Sequence, residues 1–127
     1  MENIPFENLN NLLQVLCTNT TLTYFGIQDV PLGPTSCTAL SQFIKCNSTI
    51  TTLNLSRTQM DDGLPTICSG LHHNSSITKL KLEKNLIGPK SAPALAEALL
   101  KNSTLRELHL LGNKITSVGC KSISEAL

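Results

Sequence analysis

Four stretches of the chain repeat one pattern of hydrophobic and polar positions. They open on Asn19-Thr20-Thr21-Leu22, Asn47-Ser48-Thr49-Ile50, Asn74-Ser75-Ser76-Ile77 and Asn102-Ser103-Thr104-Leu105, with the Asn residues 28, 27 and 28 positions apart. The apolar residues that follow read LxxLxL each time: Leu22, Phe25, Ile27; Ile50, Leu53, Leu55; Ile77, Leu80, Leu82; Leu105, Leu108, Leu110. In the second half of this motif apolar and polar residues alternate, as in Leu80-Lys81-Leu82-Glu83. A period of two marks a short strand with one face buried. Five residues later comes another apolar residue (Leu32, Met60, Ile87, Ile115), and the period then becomes helical. Ala92, Leu95, Ala98 and Leu99 share one helix face, and Cys37, Leu40, Phe43, Ile44 and Cys120, Ile123, Ala126, Leu127 stand at the same offsets. The second copy is one residue shorter near Asp61-Asp62-Gly63, and its helical positions resume at Ile67 and Leu71.

Gly and Pro punctuate the passage from strand to helix in Leu32-Gly33-Pro34-Thr35-Ser36 and Ile87-Gly88-Pro89-Lys90-Ser91. Proline suits a turn or the first helical turn, where its missing N–H costs least, and Pro93 is tolerated on the same ground. The recurring Asn is expected to end each helix in the left-handed conformation that helix C-termini favour. One strand–turn–helix unit cannot bury its apolar side alone, so the units must stack. Strands stack at about 4.8 Å and helices at about 8–10 Å. A row of such units therefore curves, with a parallel sheet on the concave face and helices on the convex face.

The pattern LxxLxLxxNxIGxxxxxxLAxAL, seen best from Ile77 to Leu99, resembles the ribonuclease-inhibitor-like class of leucine-rich repeats. That class also occurs in the sensor regions of NOD-like receptors and in the Ran GTPase-activating protein. The resemblance implies an α/β leucine-rich-repeat solenoid, a horseshoe arc. Four repeats are expected at 19–46, 47–73, 74–101 and 102–127. Residues 1–18 would form a helical half-repeat or amino-terminal cap, with Leu9, Leu12, Val15 and Leu16 matching the helix of a preceding unit. Met1 falls inside such a half-unit and Leu127 stops short of a helix end, so a piece of a longer array is expected. The family's Asn after the strand stands at Asn85 and Asn113, but Val30 and Thr58 replace it in the first two copies. A looser or differently bonded turn is expected there.

Composition narrows the chemistry. Three Phe, one Tyr and no Trp leave an aliphatic core. A net charge of +1 gives no electrostatic reason to expect nucleic acid or an anionic membrane as partner. No apolar run reaches the roughly 20 residues of a membrane helix. The sequence from Met1 to Glu7 lacks the basic and apolar regions of a signal peptide. Five cysteines, an odd number without CxxC spacing, argue against a disulfide framework and against zinc. A reducing, cytoplasmic setting follows most simply. Cys37 and Cys120, where the third copy has Ala92, are expected to be buried and to let helix approach sheet closely.

Strand positions pointing away from the core should line the concave face: Tyr24, Gly26 and Gln28; Thr52, Asn54 and Ser56; Lys79, Lys81 and Glu83; Glu107, His109 and Leu111. Arg57 and Lys84 lie just beyond. As partner-binding candidates these give Tyr24, Gln28, Thr52, Asn54, Arg57, Lys79, Lys81, Glu83, Lys84, Glu107 and His109, with Tyr24, Arg57 and His109 as anchors because aromatic and Arg side chains dominate interface energetics. The bland alternative for each is a solvated strand residue. Lys79, Lys81, Lys84 and Glu83 make a mostly basic cluster suited to an acidic patch, and so few basic groups without interleaved aromatics are a thin footprint for nucleic acid. His72 and His73 sit at a helix end without further ligands nearby in sequence. No nucleophile–base arrangement and no phosphate-binding loop occurs, so no catalytic residue, cofactor, metal or small-molecule substrate is expected. The implied function is binding of a protein partner, as in the sensing or regulatory region of a NOD-like receptor. Alternatives are a small-GTPase regulator resembling the Ran-activating family, and a structural scaffold.

Overall fold

A computed structural model describes residues 6–60 and 62–126, without the side chains at positions 6, 7, 122 and 126. Met1, Asp61 and Leu127, and the side chain of Ala126, lie outside what is described. The elements run α1 (Phe6–Cys17), β1 (Tyr24–Gly26), α2 (Pro34–Cys46), β2 (Thr52–Asn54), α3 (Leu64–Leu71), β3 (Lys79–Lys81), α4 (Ala92–Lys101), β4 (Glu107–His109) and α5 (Ser117–Ala126). The strands form one parallel sheet in chain order, β1-β2-β3-β4. Along the backbone each strand neighbours only the adjacent strands and each helix only the adjacent helices, which is the signature of a solenoid.

The register sets Phe25, Leu53, Leu80 and Leu108 side by side. Phe25, Leu53 and Leu80 are buried and Leu108 is partly so. Ile27, Leu55 and Leu82 run parallel to them, and Leu32, Met60 and Ile87 close the core at the turn side. Each fully buried Leu or Ile contributes roughly 1.5–3 kcal/mol. Among the described residues one aromatic pair occurs, Phe25 against Phe43, at 5.2 Å between ring centroids.

The helix starts differ for a reason legible in the prolines. Helix α2 begins at Pro34, whereas the equivalent Pro89 stays in a turn and α4 begins at Ala92. A helix started at Pro89 would need an N–H at Pro93 to bond back to Pro89, and proline has none. Pro93 is tolerated in the first turn.

At the amino end the burial pattern departs from the expected one. Leu9 and Leu13 are buried, whereas Leu12 is 45% and Val15 71% exposed. Their counterparts Leu40 and Phe43 are buried because a strand and a preceding helix cover them; α1 has neither among the described residues, so it packs on α2 by its Leu9–Leu13 side. Cys120 is exposed rather than buried. The position it shares with Cys37 and Ala92 faces the next unit: a Cβ on Gly63 would collide with the Cys37 sulfur, and one on Gly119 would come within 2.9 Å of Ala92 Cβ. Small residues there bring adjacent units together, not helix to sheet. After Cys120 no described unit follows.

Nor do the helices end in a left-handed residue. Asn47 and Asn102 have φ −83° and −93° with extended ψ. Their role is carried by the side chain. Oδ1 of Asn74 accepts the N–H groups of Ser76 and Ile77 at 2.9 and 2.8 Å, turning the chain from helix toward strand. Its Nδ2 donates to the carbonyls of Ile44 at 2.9 Å and Asn47 at 3.3 Å, at the end of the neighbouring helix α2. Asn47 and Asn102 repeat both halves of this arrangement.

A second ladder runs through the turns after the strands. Asn113 Oδ1 accepts from the backbone of Asn85 and Ile87, and Asn85 Oδ1 from Thr58. Thr58, replacing the usual Asn, turns its hydroxyl to Leu55 O and to Asn85 Oδ1, both at 2.9 Å. Leu32 N–H instead meets Thr58 O at 3.0 Å. The turn is differently bonded, as expected.

The structure joins Cys17 to Cys46, against the expectation drawn from cysteine count and spacing. The two cysteines are 29 residues apart, about one repeat, and stacking brings their Cα atoms to 5.5 Å. Proximity here comes from the repeat period, which a search for CxxC does not sample.

Candidate protein-binding face

With the helices on one side, the sheet leaves its other side open. The register aligns Tyr24, Thr52, Lys79 and Glu107 in one row and Gly26, Asn54, Lys81 and His109 in the next. Gln28, Ser56 and Glu83 continue the pattern toward the turns, where Ser56 Oγ accepts from Glu83 N–H at 3.2 Å.

Polar and charged side chains on this surface pair between neighbouring repeats. Lys79 Nζ lies 3.1 Å from Glu107, Glu83 lies 3.4 Å from His109 Nδ1, and Arg57 grips Asp29 at 2.7 and 3.3 Å. All are a third or more exposed, so each pair contributes at most about 1 kcal/mol and chiefly orients the side chains. Lys81 and Lys84 make no ion pair with any described residue.

Tyr24 is half exposed, and its ring lies over Gly26, where a Cβ would come within 2.8 Å of the phenol oxygen. Asn54 is the candidate least available: it is 6% exposed and donates to the Tyr24 hydroxyl at 3.3 Å. It supports Tyr24 from below instead of presenting itself.

Beyond the strands, Asp29, Arg57, Lys84 and Gly112 occupy one repeat position, and all four have positive φ. Gln59 and Leu86, two residues further along, do too. Together with Pro31, the five non-glycine residues of this set line an open cleft of about 440 Å³ along the rim. A neighbouring depression of about 200 Å³, lined by Gln28, Asn54, Ser56, Arg57, Lys81, Glu83 and Lys84, connects it to the sheet face. Sequence reasoning found Arg57 and Lys84 but missed Asp29, Gln59 and Leu86. The available signal was repeat position: Asp29 stands where Arg57 and Lys84 do, and Gln59 and Leu86 share the position two residues on.

Of the free cysteines, Cys37 and Cys68 are buried and Cys120 is exposed. Burial pushes the Cys37 thiol up and the Cys68 thiol to about 12, so both stay protonated in the core. Among the described residues no cluster of His, Cys, Asp and Glu could hold a metal, and no helix is long and apolar enough to cross a membrane.

A family profile described as Leucine Rich repeat matches residues 46–63 and 101–124. The stacked units are leucine-rich repeats. Among proteins similar to this leucine-rich-repeat array is NACHT, LRR and PYD domains-containing protein 4C of Mus musculus, 34% identical over 69% of the chain and 9% of that protein. Another is the protein phosphatase 1 regulatory subunit 37 homolog of Caenorhabditis elegans, 34% identical over 73% of the chain and 11% of that protein. The array thus spans about a tenth of the length of these relatives. In three dimensions it resembles a structure of leiomodin-1 actin-binding site 2, with a TM-score of 0.83 over 98% of this chain and 72% of that one, at 24% identity. That likeness concerns the fold.

Proposed function

We propose that this leucine-rich-repeat array is the partner-binding segment of a longer receptor of the NACHT, LRR and PYD kind, and that it engages another protein through the open sheet face. The observation that carries this reading is a sheet with one side covered by helices and the other set with aligned, mutually oriented polar side chains around a half-exposed Tyr24. The similarity to receptor and regulatory-subunit sequences supports it. Binding, not catalysis, is the role such a surface fits, because it encloses no reacting group. The repeats at 19–46, 47–73, 74–101 and 102–127, with residues 1–18 as a helical half-repeat, would be part of a larger array. We place the receptor in the cytoplasm, where Cys17 and Cys46 would stand as adjacent thiols.

The test compares surfaces within the full-length parent. Reversal of Lys79 and Lys81 together (K79E, K81E) is expected to weaken partner binding about tenfold, the loss of a few interface contacts. Reversal of the exposed helix residue Lys45 (K45E) is expected to leave it unchanged. Equal effects from both surfaces, or none from the sheet, would reject this face as the binding site.

A further inference from the structure

Five of the six residues lining the rim cleft adopt positive φ without being glycine: Asp29, Arg57, Gln59, Lys84 and Leu86. The left-handed conformation comes from the repeated turn, and Gly or Asn would adopt it more cheaply. Here it carries long side chains outward at successive steps, a concentration of backbone strain of the kind found at binding sites.

Charge selects the occupant. Lys81 and Lys84 have no ion-pair partner among the described residues; Lys114, at the repeat position of Leu86, has none either but lines neither hollow. Lys81 and Lys84 both line the depression that opens into the rim cleft. The Lys84 stem is seated on Gly112, where a Cβ would come within 2.7 Å of Lys84 Cγ. Arg57, the group best shaped to fork a phosphate, is already taken at two points by Asp29. What remains is a pair of point charges, which suits a carboxylate. Beside them the cleft offers an apolar footing in Pro31 and in Leu86, a leucine left 50% exposed.

We infer that the rim cleft receives an extended segment of a partner protein in which an acidic side chain, held by Lys81 and Lys84, is followed by an aliphatic one resting on Leu86 and Pro31. This goes beyond the sheet-face reading, since the rim can bind whether or not the strands do.

The experiment uses the whole chain, nitrogen-15 labelled and titrated with the acetylated, amidated peptide Gly-Glu-Leu-Glu-Leu-Gly. Parallel titrations use the same peptide with Gln or Lys in place of Glu. Amide shifts confined to the turns around residues 57–59 and 84–86, with the Gln and Lys peptides binding at least several-fold more weakly, are the expected result. Lys84→Glu should weaken the Glu peptide about tenfold and Lys84→Gln by less, while Lys45→Glu leaves it unchanged. Retained amide dispersion shows that each variant is folded. No shift at millimolar peptide, or equal binding of the Gln peptide, overturns the proposal. Shifts at residues 24, 52, 79 and 107 with none at the rim also overturn it, while leaving the sheet-face reading intact.

Discussion

Asparagine does most of the joining in this molecule, at two different repeat positions. Asn74 is buried, and its two ends satisfy backbone groups of two units at once. Asn74→Ala would leave several buried N–H and carbonyl groups unpaired, each costing about 1–3 kcal/mol in part. A loss of roughly 3 kcal/mol in urea denaturation is expected. Asn19 uses only Oδ1 among the described residues, toward Thr21 and Leu22. Asn19→Ala should therefore cost about 1 kcal/mol; equal losses at the two positions would refute the inter-unit role. The recurrence of these Asn residues was plain in the sequence, but their mechanism was not. A helix-ending Asn admits either a left-handed backbone or a side-chain turn, and only the carbonyls of the preceding unit decide between them. Asn54 was similarly ambiguous: its parity puts it on the open face, but its burial depends on where Tyr24 lies.

At the scale of elements, helix spacing is set by small residues. Gly70 in α3 stands where α2 has Phe43 and α4 has Ala98. A Cβ there would come within 2.9 Å of Ser41 O and 3.2 Å of Ile44 Cβ. Gly70→Val is expected to destabilise by about 2 kcal/mol by forcing α2 and α3 apart, despite valine's better helix propensity. A thermal melt unchanged by Gly70→Val would contradict this. Strand and helix order was legible because the periods of two and 3.6 alternate so cleanly. The start of α4 was not, because it depends on Pro89 and Pro93 four residues apart acting jointly. The Cys17–Cys46 contact was hidden as well, since it appears only when the period of the array is laid over the cysteine positions.

The whole molecule is a row in which each unit leans on its neighbours, so stability should fall from the middle outward. Amides of β2 and β3, paired on both sides, are expected to exchange slowest, and those of α1 and α5, each with one helical neighbour, fastest. Uniform exchange rates would show one cooperative block instead. The arc itself followed from the sequence once the repeat was seen. The rim cleft did not, because backbone conformation at Asp29, Arg57, Gln59, Lys84 and Leu86 leaves no trace in hydropathy.

The inter-unit asparagines have one more consequence. Asn47, Asn74 and Asn102 each begin an Asn-x-Ser/Thr triplet, the acceptor signature for N-linked sugar. In the folded chain their amide nitrogens are already donating to the preceding unit. A glycan would take one of those hydrogens and demand an exit path through packed backbone. Glycan occupancy at these three sites and assembly of the stack therefore exclude each other.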